Sequence, residues 1–353
     1  MDAVTRRDVL KLVGASAGLS LVGSLGVTKS ALAQVQDRFV WAGTGGTWGE
    51  AIERYFIKDT DFQAIAKVQA VVHSAQLESV AAAKILASCG NAPYDVSSGG
   101  QVDYAMLNGA NCLQPYDPSI VTNLVDIYPE ACLGNYFAAW NLSIFGVTWN
   151  TKEAAKPTSF EDLWSEKYKD RVGIPAYGWY GMLWLHAINK LHGGTEDNVD
   201  PGIQAISDLV KKNGAILIEN ADHATKLMQQ GDVVIMPYLN GRTYRMIEAG
   251  VPCDFAFVPG MIPIGNGFSI MAGTRNLEAA QKFINMTLDP EMQVKFAQWS
   301  KYPPTNRRCK LPADLEYINI PDGSLGRASN LDWAKINQHR AAYLNRWNRE
   351  VLA

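Results

Sequence analysis

The sequence lacks the local signatures of the commonest catalytic and metal-binding sites. It contains no G-x-S-x-G, no H-E-x-x-H, no nucleotide-binding glycine fingerprint and no C-x-x-C pair. No His or Cys spacing matches a zinc site, since the histidines are scattered at His73, His186, His192, His223 and His339. The sequence therefore predicts no metal and no cofactor. An enzyme whose active site has no local motif stays open as an alternative.

Long apolar runs are also absent after the N-terminus, so the sequence predicts no membrane span there. Residues 1–33 combine the twin arginines Arg6 and Arg7, a mildly apolar stretch over 12–27 and an A-x-A cleavage pattern over 31–33. This combination is typical of a twin-arginine signal peptide. We therefore expect residues 1–33 to be removed and the mature protein to be exported to the periplasm.

A concentrated basic charge is missing too. Residues 1–33 hold four basic and two acidic residues, so their removal changes the net charge from −3 to −3 − 2 = −5. Binding of duplex nucleic acid needs a basic face, and an acidic chain argues against that partner. The apolar fraction of 47% and the charged fraction of 19% are those of a globular protein, and 353 residues suffice for two domains.

The segment Trp140–Pro175 organises the rest of the chain. Residues 141–149 have the β-branched and aromatic residues of a buried strand. Ser159 is typical of a helix N-cap, with Asp162 three residues later. A second strand is predicted over 171–175.

The order of short motifs in this segment carries a resemblance. It has Gly-Val-x-x-Asn, then Pro, Thr-Ser-Phe-x-Asp-Leu-Trp and Lys-Tyr-Lys-x-Arg-Val. Further along are Gly-Asp-Val-Val-x-Met-Pro-Tyr-x-Asn-Gly over 231–241 and Tyr-Pro-x-x-Asn over 302–306. The sequence resembles the periplasmic solute-binding proteins of ABC importers, in particular the spermidine/putrescine-binding type.

The resemblance implies an α/β, two-lobed periplasmic-binding-protein fold of type II. Each lobe would be a mostly parallel sheet flanked by helices, and crossing strands would join the lobes. Lobe one would comprise 34–147 and 269–353, with a C-terminal helix over 333–351 packed on it, and lobe two would comprise 148–268. The resemblance places Cys112 and Cys132 in one lobe, which favours a disulfide between them; with five cysteines, at least one has no partner within the chain.

In such a protein, ligands lie where strands end at the cleft between the lobes. The resemblance and the positions of polar and aromatic residues after strands nominate ligand-binding residues. They are Thr44, Thr47, Trp48, Ser97, Ser98, Tyr177, Trp179, Tyr180, Tyr238, Asn240, Arg242 and Asn266. Closure of the lobes by a hinge would bury the ligand and create the surface that a membrane permease of the ABC type contacts. We expect the protein to act as a monomer.

The sequence departs from the polyamine-binding pattern in its charges. The loop at Tyr177, Trp179 and Tyr180 carries no acids, and Asn266 takes an acidic place on the return strand. A buried diammonium without counter-charges costs several kcal/mol. Arg242 is suited to a carboxylate or phosphate. We therefore expect a small anionic or zwitterionic organic solute.

Three alternatives stay open. The first is a spermidine/putrescine-binding protein whose acids lie elsewhere in the sequence. The second is a ferric-iron receptor, which needs paired tyrosines, whereas Tyr238 and Tyr244 are not adjacent. The third is an enzyme exported by the twin-arginine route.

Overall fold

The structure, a computed structural model, describes residues 38–352, so the predicted signal peptide lies outside the described residues. Its strands are β1 (Arg38–Gly43), β2 (Ala70–Ala75), β3 (Val96–Gly100), β4 (Leu113–Gln114), β5 (Cys132–Leu133), β6 (Phe137–Asn150), β7 (Gly173–Pro175), β8 (Ile216–Ile218), β9 (Ile235–Leu239), β10 (Cys253–Ala256) and β11 (Ile262–Met271). No helix within 38–352 is long and apolar enough to cross a membrane.

The helices alternate with the strands over much of the chain. They are α1 (Gly46–Ile52), α2 (Phe62–Ala66), α3 (Glu78–Ala87), α4 (Gln101–Gly109), α5 (Trp179–Leu191), α6 (Asp200–Asn213), α7 (Ala221–Gln230), α8 (Asn240–Glu248), α9 (Leu277–Thr287), α10 (Pro290–Ser300) and α11 (Trp333–Arg346). Wider π-helical turns continue α1 and α11, over Glu53–Lys58 and Trp347–Val351. Single 3-10 turns occupy Thr122–Asp126, Pro129–Ala131, Phe160–Trp164, Glu166–Tyr168, Ala313–Ile318 and Leu325–Arg327.

A mixed nine-stranded sheet runs through the protein in the order β10-β6-β11-β3-β1-β2, with β4 on β11 and β5 and β9 on β6. The long strands β6 and β11 pair antiparallel, while β1 is parallel to β2 and β3. Strands β7 and β8 form a separate parallel pair. All 14 residues of β6 are buried, which explains the apolar character of a strand covered on both faces.

Two large groups of buried side chains flank the long strands. One contains Trp41, Phe56, Trp140 and Phe268, drawn from chain segments before residue 145 and after 243. The other contains Trp184 and neighbours from 145–264, together with Val102 and side chains from 331–351. The predicted boundaries between lobes fall within β6 and β11, and the division itself stays a prediction.

The C-terminal helix packs against elements of both predicted lobes. Ile336 and Trp347 are fully buried in the same group as Trp184 of α5, in the segment predicted as lobe two. The Tyr343 hydroxyl donates a 2.5 Å hydrogen bond to the carbonyl oxygen of Glu196. Because the apolar residues of α11 recur at helical spacing, they form one face, and α5 and α6 supply its apolar complement. Val102 of α4, in the segment predicted as lobe one, belongs to the same buried group, so α11 contacts both predicted lobes and its assignment to lobe one stays a prediction.

The expected disulfide between Cys112 and Cys132 is wrong. Cys112 instead bonds to Cys89, with their Cα atoms 4.9 Å apart. The two residues follow the ends of the neighbouring helices α4 and α3, which brings them within bonding range. Cys132, Cys253 and Cys309 are free thiols.

The N-cap predicted at Ser159 is confirmed. The Ser159 hydroxyl accepts from the Glu161 amide at 3.1 Å, and the Asp162 carboxylate accepts from the Ser159 amide at 3.2 Å. This capping box opens the short 3-10 turn at Phe160. The end of β1 needs a glycine for packing, because a Cβ at Gly43 would lie 2.2 Å from the hydroxyl oxygen of Ser98.

Candidate functional site

A cavity of about 370 Å³ lies where several elements meet beside the two long strands. Its walls come from the loop after β1, the first turns of α3 and α4, the middle of β6 and β11, the end of β9 and helix α11. The lining residues are Thr44, Leu77, Glu78, Ser79, Gly100, Val102, Asp103, Ser143, Leu239, Ile264, Asn266 and Arg340. Two of the predicted ligand-binding residues, Thr44 and Asn266, are among them.

Two carboxylates that the sequence reasoning missed lie in this cavity. Glu78 is the first residue of α3 and Asp103 is in the first turn of α4. Burial and the nearby Asp103 raise the pKa of Glu78 to about 7, against a hydrogen bond from Thr44 that lowers it. Burial also raises the pKa of Asp103, while the guanidinium of Arg340 lowers it. The only sequence signal for these two residues was the position of each acid in the first turn of a helix.

The long strands add neutral polar groups to the cavity. The Asn266 amide donates to the side-chain oxygen of Asn141 at 2.8 Å and to the Ser143 hydroxyl at 3.4 Å. Asn141 is 1% exposed, and Ser143 is buried as well. These residues face one another because Asn141 and Asn266 are direct partners in the antiparallel ladder. They give the floor of the cavity several hydrogen-bonding groups without net charge.

Arg242 lies among tyrosines in the first turn of α8 and is not part of the cavity lining. It is exposed, and its guanidinium hydrogen-bonds with the hydroxyl of Tyr180. The ring of Tyr180 lies 5.7 Å from that of Tyr238, centroid to centroid. Tyr302 is close to Arg242 and shares a hydrogen bond with Ser143, which lines the cavity. Tyr302 therefore contacts both Arg242 and a residue of the cavity lining.

A second cavity of about 260 Å³ adjoins the ends of β7, β8 and β9 and has aromatic walls. Tyr177, Tyr180 and Tyr238 line it. Tyr238 is 2% exposed, and its hydroxyl has no hydrogen-bond partner within residues 38–352. Burial raises the pKa of Tyr177 to about 12 and that of Tyr238 further, so both phenols are neutral near pH 7. The Tyr238 hydroxyl can donate a hydrogen bond to a ligand, whereas that of Tyr177 donates to the carbonyl oxygen of Arg340.

Trp48 lines neither cavity and packs instead against other aromatic rings. Its ring centroid lies 6.3 Å from that of Tyr302 and 5.3 Å from that of Phe296. Thr47, its neighbour, is exposed. Trp179 begins helix α5, and its side chain lies outside what the structure describes.

Three nominated residues sit in buried structural positions instead. Ser97 and Ser98 are each 1% exposed within the sheet, and Ser97 hydrogen-bonds with Tyr104. Asn240 is fully buried, and its side-chain oxygen accepts from the Ile144 amide at 3.0 Å. They support the strands that carry the cavity residues rather than lining either cavity.

The structure separates the tyrosines weighed for a ferric site. Tyr244 is buried beside Tyr317, at 5.2 Å between ring centroids, and does not adjoin Tyr238 in either cavity. Within residues 38–352, no group of three or more His, Cys, Asp or Glu side chains is arranged to hold a metal ion.

The chain belongs to the bacterial extracellular solute-binding protein family, whose model matches residues 56–319. It is 25% identical over 218 residues to the spermidine/putrescine-binding periplasmic protein of Escherichia coli K12, a match that covers 59% of this chain and 62% of the relative. The chain therefore spans less than two thirds of that relative's length. The predicted family is confirmed.

Solved structures establish the fold. An ABC transporter protein of Clostridium perfringens ATCC 13124 superposes with a TM-score of 0.76 at 18% identity, covering 89% of this chain and 99% of that one. A spermidine/putrescine substrate-binding protein of Streptococcus pneumoniae gives 0.67 at 18% identity, covering 88% and 98%. The fold is the predicted type II periplasmic-binding-protein fold. This fold agrees with membership of the bacterial extracellular solute-binding protein family.

Proposed function

We propose that this protein is a periplasmic receptor, exported by the twin-arginine route, that captures a small organic solute between two lobes. The lobes would meet along β6 and β11, with 34–147 and 269–353 on one side and 148–268 on the other. The about 370 Å³ cavity supports this arrangement, because Thr44 and Leu239 line it from the two predicted sides. Closure by a hinge would bury the solute and present a surface to the permease.

The ligand class follows from the charges around the cavity. We favour a zwitterionic solute within the predicted anionic or zwitterionic class. Its acid group would bind Arg242 among the tyrosines, and its ammonium group would lie toward Glu78 and Asp103. The observation that carries this choice is that Tyr302 interacts with Arg242 and hydrogen-bonds with Ser143, which lines the cavity together with the two carboxylates. A wholly anionic solute would meet repulsion from the two carboxylates.

A polyamine is the second candidate. The carboxylates of Glu78 and Asp103 are the counter-charges that the sequence reasoning did not find, and they favour an ammonium-bearing ligand. Arg340 lines the same cavity and opposes a second ammonium group. Polyamine binding therefore ranks behind the zwitterion.

A thermal-shift screen of residues 34–353 tests the proposal. The panel comprises polyamines, amino acids, organic acids, phosphonates, sugar acids and ferric iron. A ligand at a thousand times its dissociation constant stabilises by about 4 kcal/mol, which is readily detected. We expect the largest shift with an amino acid or another zwitterion. A largest shift with putrescine or spermidine would select the polyamine alternative.

Two further results would contradict the proposal. Small-angle scattering without compaction on addition of the best ligand would exclude hinge closure. No shift across the panel, together with turnover in an esterase or oxidase assay, would move the protein to the class of exported enzymes.

A further inference from the structure

Helix α11 brings a positive charge to a cavity that otherwise holds only negative ones. The cavity lining includes three charged residues, which are Glu78, Asp103 and Arg340. Arg340 comes from a helix more than two hundred residues later in the chain than the carboxylates, and it lies close enough to Asp103 to favour its ionised form. Two carboxylates and one guanidinium leave a single net negative charge when all are ionised.

The position of Arg340 is fixed by contacts that involve no ligand. Its backbone carbonyl accepts a hydrogen bond from the Tyr177 hydroxyl at 3.4 Å. One turn later, Tyr343 bonds to the Glu196 carbonyl at 2.5 Å. Near the end of the helix, Arg346 pairs with Asp200 at 2.6 Å. The guanidinium therefore extends from an anchored helix and reaches the cavity before a ligand arrives.

The charge balance discriminates between one ammonium group and two. A nearby ammonium group favours the ionised form of Glu78, and one such group then matches the single net negative charge of Glu78, Asp103 and Arg340. A second ammonium group in the cavity would have no counter-charge and would face the guanidinium at short range. Charge left unpaired on desolvation costs affinity, whereas like charges oppose association directly.

We propose that Arg340 is a specificity-determining residue that neutralises one carboxylate of the cavity and thereby selects ligands with a single ammonium group over diamines. The inference rests on the proposed function, because it assumes that the ligand occupies this cavity. It adds to that function the number of ammonium groups and the residue that sets it. Arg340 is exposed at the cavity edge, so its effect decreases with ionic strength.

The test uses a matched pair of probes, 4-aminobutanoate and putrescine, which share a four-carbon chain and differ in one end group. Dissociation constants are measured by calorimetry for the mature wild type and for Arg340→Gln. We expect the wild type to prefer 4-aminobutanoate and the variant to shift the ratio of the two constants at least tenfold toward putrescine. The shift should shrink in high salt.

Two variants control for folding and for charge in general. Arg340→Lys keeps the charge and should retain the wild-type preference. Arg349→Gln removes an exposed guanidinium bonded to Glu350 and should leave the ratio unchanged. All variants are first compared with the wild type in thermal unfolding.

Each adverse outcome has a distinct meaning. An unchanged ratio in Arg340→Gln overturns the role of Arg340 while the proposed function stands. A wild type that prefers putrescine, or that binds neither probe, also overturns it. The proposed function fails separately, if no solute in the thermal-shift panel binds.

Discussion

The side-chain amide of Asn266 donates a 2.8 Å hydrogen bond to the side-chain oxygen of Asn141, its direct partner across β11 and β6. Asn141 is 1% exposed, and its own amide nitrogen has no partner within residues 38–352. Asn266 also lines the larger cavity. The Asn266 side chain thus provides the hydrogen-bond donor for the buried Asn141 oxygen and also lines the cavity proposed for the ligand.

Replacing Asn266 by alanine should therefore affect stability as well as binding. The variant leaves the Asn141 oxygen without its donor, which costs about 1 to 3 kcal/mol for a buried group. Urea unfolding should show a lower free energy of unfolding by that amount. The matched control is Asn319→Ala at an exposed site, which should stay within about 0.5 kcal/mol of the wild type. Equal effects of the two substitutions would show that the Asn141 contact contributes nothing.

Arg242 provides the second prediction. Arg242→Ala should weaken binding of the best acidic or zwitterionic ligand by about 2 kcal/mol or more, since hydrogen bonds to charged groups are of that size. The dissociation constant would rise by about thirtyfold or more. Isothermal titration calorimetry measures it directly.

Two companion variants make this result specific. Arg242→Lys should recover part of the affinity, because lysine keeps the charge and loses the planar, bidentate geometry. Arg275→Ala removes an exposed arginine elsewhere and should change nothing. Unchanged affinity in Arg242→Ala would remove Arg242 from the site.

Local patterns were sufficient to predict most of the fold. The strand predicted over 141–149 lies within β6, and the strand predicted over 171–175 contains β7. Burial periodicity and capping act over a few residues, so the sequence displays them directly. The packing of α11 was not predictable in this way, because its apolar face fits either lobe by composition alone.

The candidate site was only partly predictable for the same reason. Thr44 and Tyr177 follow strands, while Asn266 and Tyr238 lie within strands, and all four were found by their positions relative to strands. Glu78, Asp103 and Arg340 come from three separate helices, and only the fold brings their charges together. A charged residue in a first or last helical turn is common on protein surfaces.

Glu78 makes stability depend on pH. Its pKa is about 7 in the folded protein and near 4.5 without the fold, so the folded state binds more protons between these values. Stability should therefore fall as the pH rises from about 4.5 through 7 and level off above. At about 1.4 kcal/mol per pKa unit, the loss is at most about 3 kcal/mol.

Glu78→Gln should remove this dependence and be more stable than the wild type at pH 8, with little difference at pH 4. Denaturant titrations across that range measure it. Asp103 and Arg340 face the same cavity, so the profile is read as a difference between variant and wild type. The exposed Glu50 on α1 supplies the control variant Glu50→Gln. Parallel profiles for Glu78→Gln and wild type would contradict the assignment.

His186 should act in the opposite direction. It is 1% exposed, and burial, with Lys190 adding to it, lowers the pKa to about 4 against the pull of Glu196. The unfolded chain takes up a proton near pH 6.5, so the neutral ring contributes stability that is complete above 6.5 and lost as the pH falls toward 4. His186→Phe should flatten the acid limb of the stability profile, with His223→Gln as control. An unchanged acid limb in His186→Phe would exclude this role.

The disulfide gives the last prediction, because two pairings lead to opposite results. With the bond between Cys89 and Cys112, Cys89→Ser should lower the free energy of unfolding by about 2 to 4 kcal/mol, as is typical for loss of a native disulfide. Cys132→Ser should have a small effect, since that thiol is free and half-buried. Had Cys132 been the partner of Cys112, Cys132→Ser would be the damaging change and Cys89→Ser would be harmless. Because the bond ties together the far ends of the helices that carry Glu78 and Asp103, Cys89→Ser should also weaken ligand binding, and Cys132→Ser should not.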